Sequence, residues 1–261
     1  MAETSPKRIK SVENVVDILE LIKREELKPS EVADRLGFAK STVHYYLTTL
    51  EEHGYIINDE SGLRLGLRFI DLADAAVDTS EIYQMGWEQT NRLAEETDSV
   101  ARLVVLEAGH GVVIYQSRGE PVEITGRRRR LPVHASACGK AILAHLPEHE
   151  VEHILSQCGM EAYTERTITE PSELWEELAT VREHGIAVED EEFREGRRSI
   201  AAPIIDLSSN EALGAVGLEG PSESVSLPDS RQKAKRFVKN QPNLVRRTAK
   251  LIQNTLNEQA D

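Results

Sequence analysis

Cysteine is nearly missing from this chain. Cys138 and Cys158 are the only two in 261 residues, too few for a disulfide framework, so a reducing cytoplasm is the expected setting. Long apolar runs are missing as well. None approaches the roughly 20 residues that a membrane-spanning helix needs, and residues 1–10 are polar, without the apolar stretch of a secretory signal. CxxC, P-loop and GxSxG motifs are all absent. No catalytic residue, metal ion or cofactor is therefore expected, and no membrane partner.

Positive charge is short. The 31 Lys and Arg stand against 45 Asp and Glu, a formal net charge of −14. Residues 1–70 hold ten Lys and Arg against twelve Asp and Glu, so about −12 of the −14 lies beyond them. Arginine carries most of the positive charge. An acidic, lysine-poor surface fits a halophilic protein working in a salt-rich cytoplasm; an ordinary acidic protein is the plainer alternative, since net charge reports on solubility and not on fold.

The N-terminal pattern is helical. Val12, Val15, Val16, Leu19 and Ile22 recur at helical spacing over 12–22. Pro29, Ser30 and Glu31 open a second helix that stops at Gly37. A third spans about 40–53 and ends at Gly54. Alternating residues 55–57 and 63–65 flank a polar turn and read as a hairpin.

This is the layout of a winged helix-turn-helix. Ala33 gives the small residue needed where two helices cross, Gly37 the turn, and Val43, Leu47 and Leu50 a buried stripe. The outward face of the third helix would carry Lys40, Ser41, Thr42, His44, Tyr45 and Thr48, side chains able to reach base edges and phosphates of double-stranded DNA. Arg64 would sit on the wing, and Arg8, with Lys7 and Lys10, on a basic arm. A winged-helix module that binds another protein is the competing reading, and a three-helix packing unit with an ordinary polar face the plainer one.

Beyond residue 70 the pattern predicts two helices up to about 96. Strands follow over 100–106, 112–116, 122–125, 186–189, 199–205 and 212–219, and helices over 137–146, 147–157, 171–183 and 228–256. Paired strands with inserted helices indicate an α+β sensor-type domain. Arg127–Arg130, four arginines in a row, suit an anionic ligand, DNA, an acidic surface at a subunit contact, or plain solvent.

Several ordered motifs resemble one family. Lys40-Ser41-Thr42-Val43-His44, Leu50-Glu51-Glu52-His53-Gly54-Tyr55 and Leu65-Gly66-Leu67-Arg68 are similar to the IclR-type transcription regulators. So are His134-Ala135-Ser136-Ala137-Cys138-Gly139-Lys140-Ala141, Asp190-Glu191-Glu192, Ala201-Ala202-Pro203 and Gly220-Pro221. The resemblance covers about residues 8–250. It implies a winged helix-turn-helix over 8–69, a linker helix over 70–82, and a GAF-like effector-binding domain over 83–258 with a mainly antiparallel sheet flanked by helices. It also implies a homodimer or dimer of dimers on a palindromic operator, acting as repressor or activator under a small-molecule effector.

Leu131, Ala137, Cys138 and Gly139 would form one wall of the effector pocket, with helix N-terminal N–H groups suited to a carboxylate. By resemblance, Glu189, Ser199, Gly217 and Glu219 complete it. Acid-binding members often carry Asp, Cys, Ser and Ser at these four places. A second carboxylate at Glu219 disfavours a small dianion unless protonated or paired, so a sugar, sugar acid, keto acid or amino-acid-like ligand is expected. An enzyme built on Cys138 and His134 is the alternative of a different class.

Overall fold

The computed structural model describes residues 8–118, 130–225 and 240–260. The chain forms two compact units, Met1–Val77 and Asp78–Asp261. Lys7, Arg127–Arg129 and the strand expected over 122–125 lie outside the described residues.

In the first unit, α1 (Lys10–Arg24), α2 (Pro29–Leu36) and α3 (Lys40–Glu52) pack around one core, and β1 (Ile56–Asp59) pairs antiparallel with β2 (Gly62–Leu65). Glu31 accepts from the Lys28 backbone N–H at 2.7 Å, which starts α2. Gly37 ends it in the left-handed region, φ +67°. Ile18, Ile22, Val32, Ala33, Val43, Leu47, Leu50, Ile56 and Leu63 are buried together. Burying this stripe is what fixes the outward face of α3. Leu63 donates its N–H to the Leu27 carbonyl at 2.8 Å, so the segment ahead of α2 is tied to the hairpin by a single β-bridge. Gly66 then passes so close to the Gly54 backbone that a Cβ there would stand 2.1 Å from the carbonyl oxygen. Helix α4 (Arg68–Asp78) follows, with no buried residue.

The second unit opens with α5 (Glu81–Thr97). Its strands are β3 (Val100–Glu107), β4 (His110–Ser117), β5 (Arg130–Leu131), β6 (Ala187–Asp190), β7 (Arg197–Ile205) and β8 (Ala212–Pro221). They form one antiparallel sheet in the order β5-β4-β3-β8-β7-β6. The short β5 was not expected from the sequence. Helices α5 and α9 (Gln241–Ala260) cover one face through Leu103, Ile200, Ile204, Val216 and Leu218; the part of the last helix expected before residue 240 lies outside the described residues. Helices α6 (Ala137–Leu143), α7 (Glu148–Cys158) and α8 (Pro171–His184) belong to the other face, where α6 is buried along its whole length. The sheet receives it on small residues, Ala187, Ala201, Ala215 and Gly217. A Cβ on Gly217 would stand 2.9 Å from the Cys138 sulfur, so glycine permits this close approach. The fold is α+β, a winged helix-turn-helix followed by an antiparallel sheet flanked by helices.

Candidate functional site

Two surfaces carry chemistry, one in each unit. On α3, Lys40, Ser41, His44 and Tyr45 are exposed, and Thr42 and Thr48 are half-buried along the same side. Tyr45 is 73% exposed, an unusual state for a large aromatic side chain. Its neighbour Tyr46 instead packs inward, its hydroxyl accepting from Asn14 at 3.1 Å. Position N-cap of α3 is Ala39, and no side chain caps the helix. Its first-turn N–H groups therefore face outward as donors beside Lys40, an arrangement that suits a phosphate.

The wing is less open to a ligand than α3. Arg64 pairs with Asp59 of the opposite strand at 3.3 Å. Asp59 also accepts from the N–H and hydroxyl of Ser61, which holds its carboxyl below the usual range. Arg8 is exposed and lies 3.6 Å from Glu13, a pair too solvated to hold it firmly.

In the second unit a small cavity of about 20 Å³ lies between α6 and the sheet. Seven of the eight sequence-expected residues line it: Leu131, Ala137, Cys138, Glu189, Ser199, Gly217 and Glu219. Gly139 does not. Its N–H donates to the Ser136 hydroxyl at 3.2 Å, so Ser136 caps α6 and takes a donor that sequence reasoning had left for a ligand. Missing from the sequence reading were Arg102, Phe193, Arg194 and Arg197.

Register explains the assembly. Ser199 faces Glu189 on β6 and Glu219 on β8, while Gly217 faces Arg102 on β3. Glu189 accepts from the Ser199 hydroxyl at 2.8 Å and from the Phe193 N–H at 3.2 Å. Glu219 is paired with Arg102 and Arg197, the exception under which its charge no longer disfavours an anionic ligand.

Burial pushes the Glu189 carboxyl up to about 7, against the two hydrogen bonds that favour its charged form. Its proton is held more tightly in the folded chain than in the unfolded one. The stability this contributes is complete below the ordinary value of 4.5 and is lost as pH rises through about 7. The wild-type melting temperature should therefore fall between pH 6 and pH 8 by more than that of Glu189→Gln. Parallel thermal melts check this; equal slopes would remove Glu189 as the titrating group.

Cys138 and His134 do not form a nucleophile and base. Burial raises the Cys138 thiol to about 12, which keeps it protonated. His134 is stacked on Tyr163, bonds the Glu161 carbonyl at 3.1 Å through Nε2, and burial lowers its pKa. Among the described residues no group of His, Cys, Asp and Glu is placed to hold a metal ion, and no helix is long and apolar enough to cross a membrane.

Comparison with known proteins covers nearly the whole chain. Residues 11–60 match the IclR helix-turn-helix domain, and residues 74–254 match the bacterial transcriptional regulator IclR C-terminal domain. The chain is 36% identical over 255 residues to a Halobacterium salinarum protein named "Probable HTH-type transcriptional regulator ArcR", covering 95% of this chain and 94% of that one. Among solved structures, an IclR transcriptional regulator from Alicyclobacillus acidocaldarius superposes with a TM-score of 0.76 at 25% identity, covering 96% of this chain and all of that one (100%). An IclR homologue from Microbacterium hydrocarbonoxydans, in complex with 4-hydroxybenzoate, superposes with a TM-score of 0.73 at 23% identity, covering 95% and 99%.

Proposed function

Because this chain belongs to the IclR family of DNA-binding transcriptional regulators, we propose that it grips a palindromic operator as a homodimer or dimer of dimers and that a metabolite held between α6 and the sheet alters that grip. The observation that carries the first half is the exposed side of α3, with its aromatic ring, hydroxyls and uncapped N-terminus. In this reading Lys40, Ser41, Thr42, His44, Tyr45 and Thr48 enter the major groove, while Arg8 and Arg64 hold the backbone on either side. A second copy is supported by α1, which leaves Ile9, Val12 and Val16 65%, 57% and 52% exposed at helical spacing. A two-fold pair sets two α3 helices about 34 Å apart, one turn of DNA.

The linker over 70–82 passes the ligand's effect to the reading heads, in the cytoplasm where the operator is. Leu131, Ala137 and Phe193 give the pocket apolar walls, and Ser199 with the paired carboxylates and guanidiniums gives it fixed polar groups. This combination suits a sugar, sugar acid, keto acid or amino-acid-like ligand.

Gel retardation with duplexes from the chain's own genomic neighbourhood tests the DNA half. Ser41→Ala and Tyr45→Ala should each weaken binding, by about 1–3 kcal/mol where a base contact is lost. Their melting curves should match the wild type. Retardation unaffected by both would remove the α3 face from the interface.

A further inference from the structure

Glu219 stands on β8 between arginines from the two neighbouring strands. Arg102 of β3 donates to Glu219 Oε2. Arg197 of β7 donates to Oε1 through Nη2 at 2.8 Å and Nε at 3.3 Å. Arg102 is further fixed by Gln116 on β4, whose Oε1 accepts from Nε at 2.9 Å. Both carboxylate oxygens are thus occupied, at only 14% exposure. The cavity beside this triad has room for about one water, so a metabolite enters only if a lining side chain moves aside.

Three guanidiniums, of Arg102, Arg194 and Arg197, border that cavity against two carboxyls. A cationic ligand group would add a positive charge and would have to pull Glu219 from two fixed donors. A ligand carboxylate has the shape and charge of the group already there. It can take over the same donors with no change in charge pairing, leaving Glu219 to turn towards solvent.

We propose that Glu219 is a built-in carboxylate that occupies the arginine pair, and that an effector binds by displacing it with a carboxylate of its own. This rests on the reading of the cavity as the effector site. The displaced side chain competes with every ligand, so it lowers the affinity and, among the proposed ligand classes, favours those that carry a carboxylate. Effector strength is then set partly by a residue that the bound ligand does not touch.

Glycolate, a small carboxylate with one hydroxyl, serves as the probe, and sodium chloride at equal ionic strength as the control. In Glu219→Gln the competing charge is gone while the shape is kept. Glycolate should then stabilise the variant against heat at about tenfold lower concentration than the wild type. Adding Arg102→Gln should abolish that gain. If Glu219→Gln fails to fold, Glu219→Asp, too short to span both arginines, should show the same direction.

A glycolate response equal to or weaker than wild type overturns the displacement, since Glu219 would then help the ligand or be indifferent to it. A gain that survives Arg102→Gln overturns it too, because the probe would be bound elsewhere. The broader effector reading fails separately. That happens if glycolate binds the variant through Arg102 and operator retardation does not respond.

Discussion

Gly66→Ala should destabilise the N-terminal unit by about 3 kcal/mol or more. The new methyl would meet the Gly54 carbonyl at 2.1 Å from oxygen and 3.0 Å from carbon, and the Tyr55 carbonyl carbon at 3.1 Å. All three atoms are backbone, so no side chain can rotate away. Moving residue 66 instead would break its N–H bond to the Tyr55 carbonyl, 2.8 Å long, next to the first rung of the hairpin at Ile56 and Leu65. The wing and the end of α3 would loosen together. Calorimetry should show the smaller unit's transition moved down or lost while the larger unit melts as before. Operator retardation should fall in parallel. An unchanged first transition would mean that this backbone crossing can open without penalty.

Lys140→Met should be comparably severe in the second unit, about 3–5 kcal/mol, because it leaves a buried carboxylate without its partner. Lys140 is 1% exposed, and its Nζ donates to Glu192 at 2.7 Å and Glu177 at 3.1 Å. The other Glu192 oxygen is buried with no hydrogen bond, so this ammonium is the main support for the charge. Burial already raises the Glu192 pKa, against the pull of Lys140. Without the lysine that carboxyl takes up a proton more readily, so the deficit should shrink as pH falls and grow as it rises. Denaturant melts at pH 5 and pH 8 measure this. Adding Glu192→Gln should recover much of the loss. A deficit independent of pH would point to packing and not to charge. Glu192 adjoins Phe193, whose N–H bonds Glu189, so the same variant should blunt the ligand response.

Local pattern made some of this legible in the sequence. The α3 face could be assigned because its period is short range, and the burial of Val43, Leu47 and Leu50 then fixed the rest by geometry. The pocket row of Glu189, Ser199, Gly217 and Glu219 came from family resemblance. What stood across from it did not. Arg102 meets Glu219 only because β3 pairs with β8, 117 positions away, and no local signal records that pairing. Gly139 lies outside the cavity lining for a related reason. Its free N–H depended on whether Ser136 turned back to cap α6, a choice of rotamer. Lys140 looked like one more motif residue, because burial of a charged side chain becomes visible only with its partners in place. Tyr45 and Tyr46, neighbours and chemically identical, were separated only by the packing of Tyr46 on Asn14.

The alanine at the start of α3 has a consequence for timing as well as affinity. A side-chain cap is worth about 1 kcal/mol to a helix. Here the first-turn amides have no carbonyl partner within the helix, and they are expected to exchange hydrogen with water in the free protein. A DNA phosphate would supply the missing cap. The reading helix would then become fully ordered only at the moment of recognition, and a mismatched site would meet a helix whose tip is still loose.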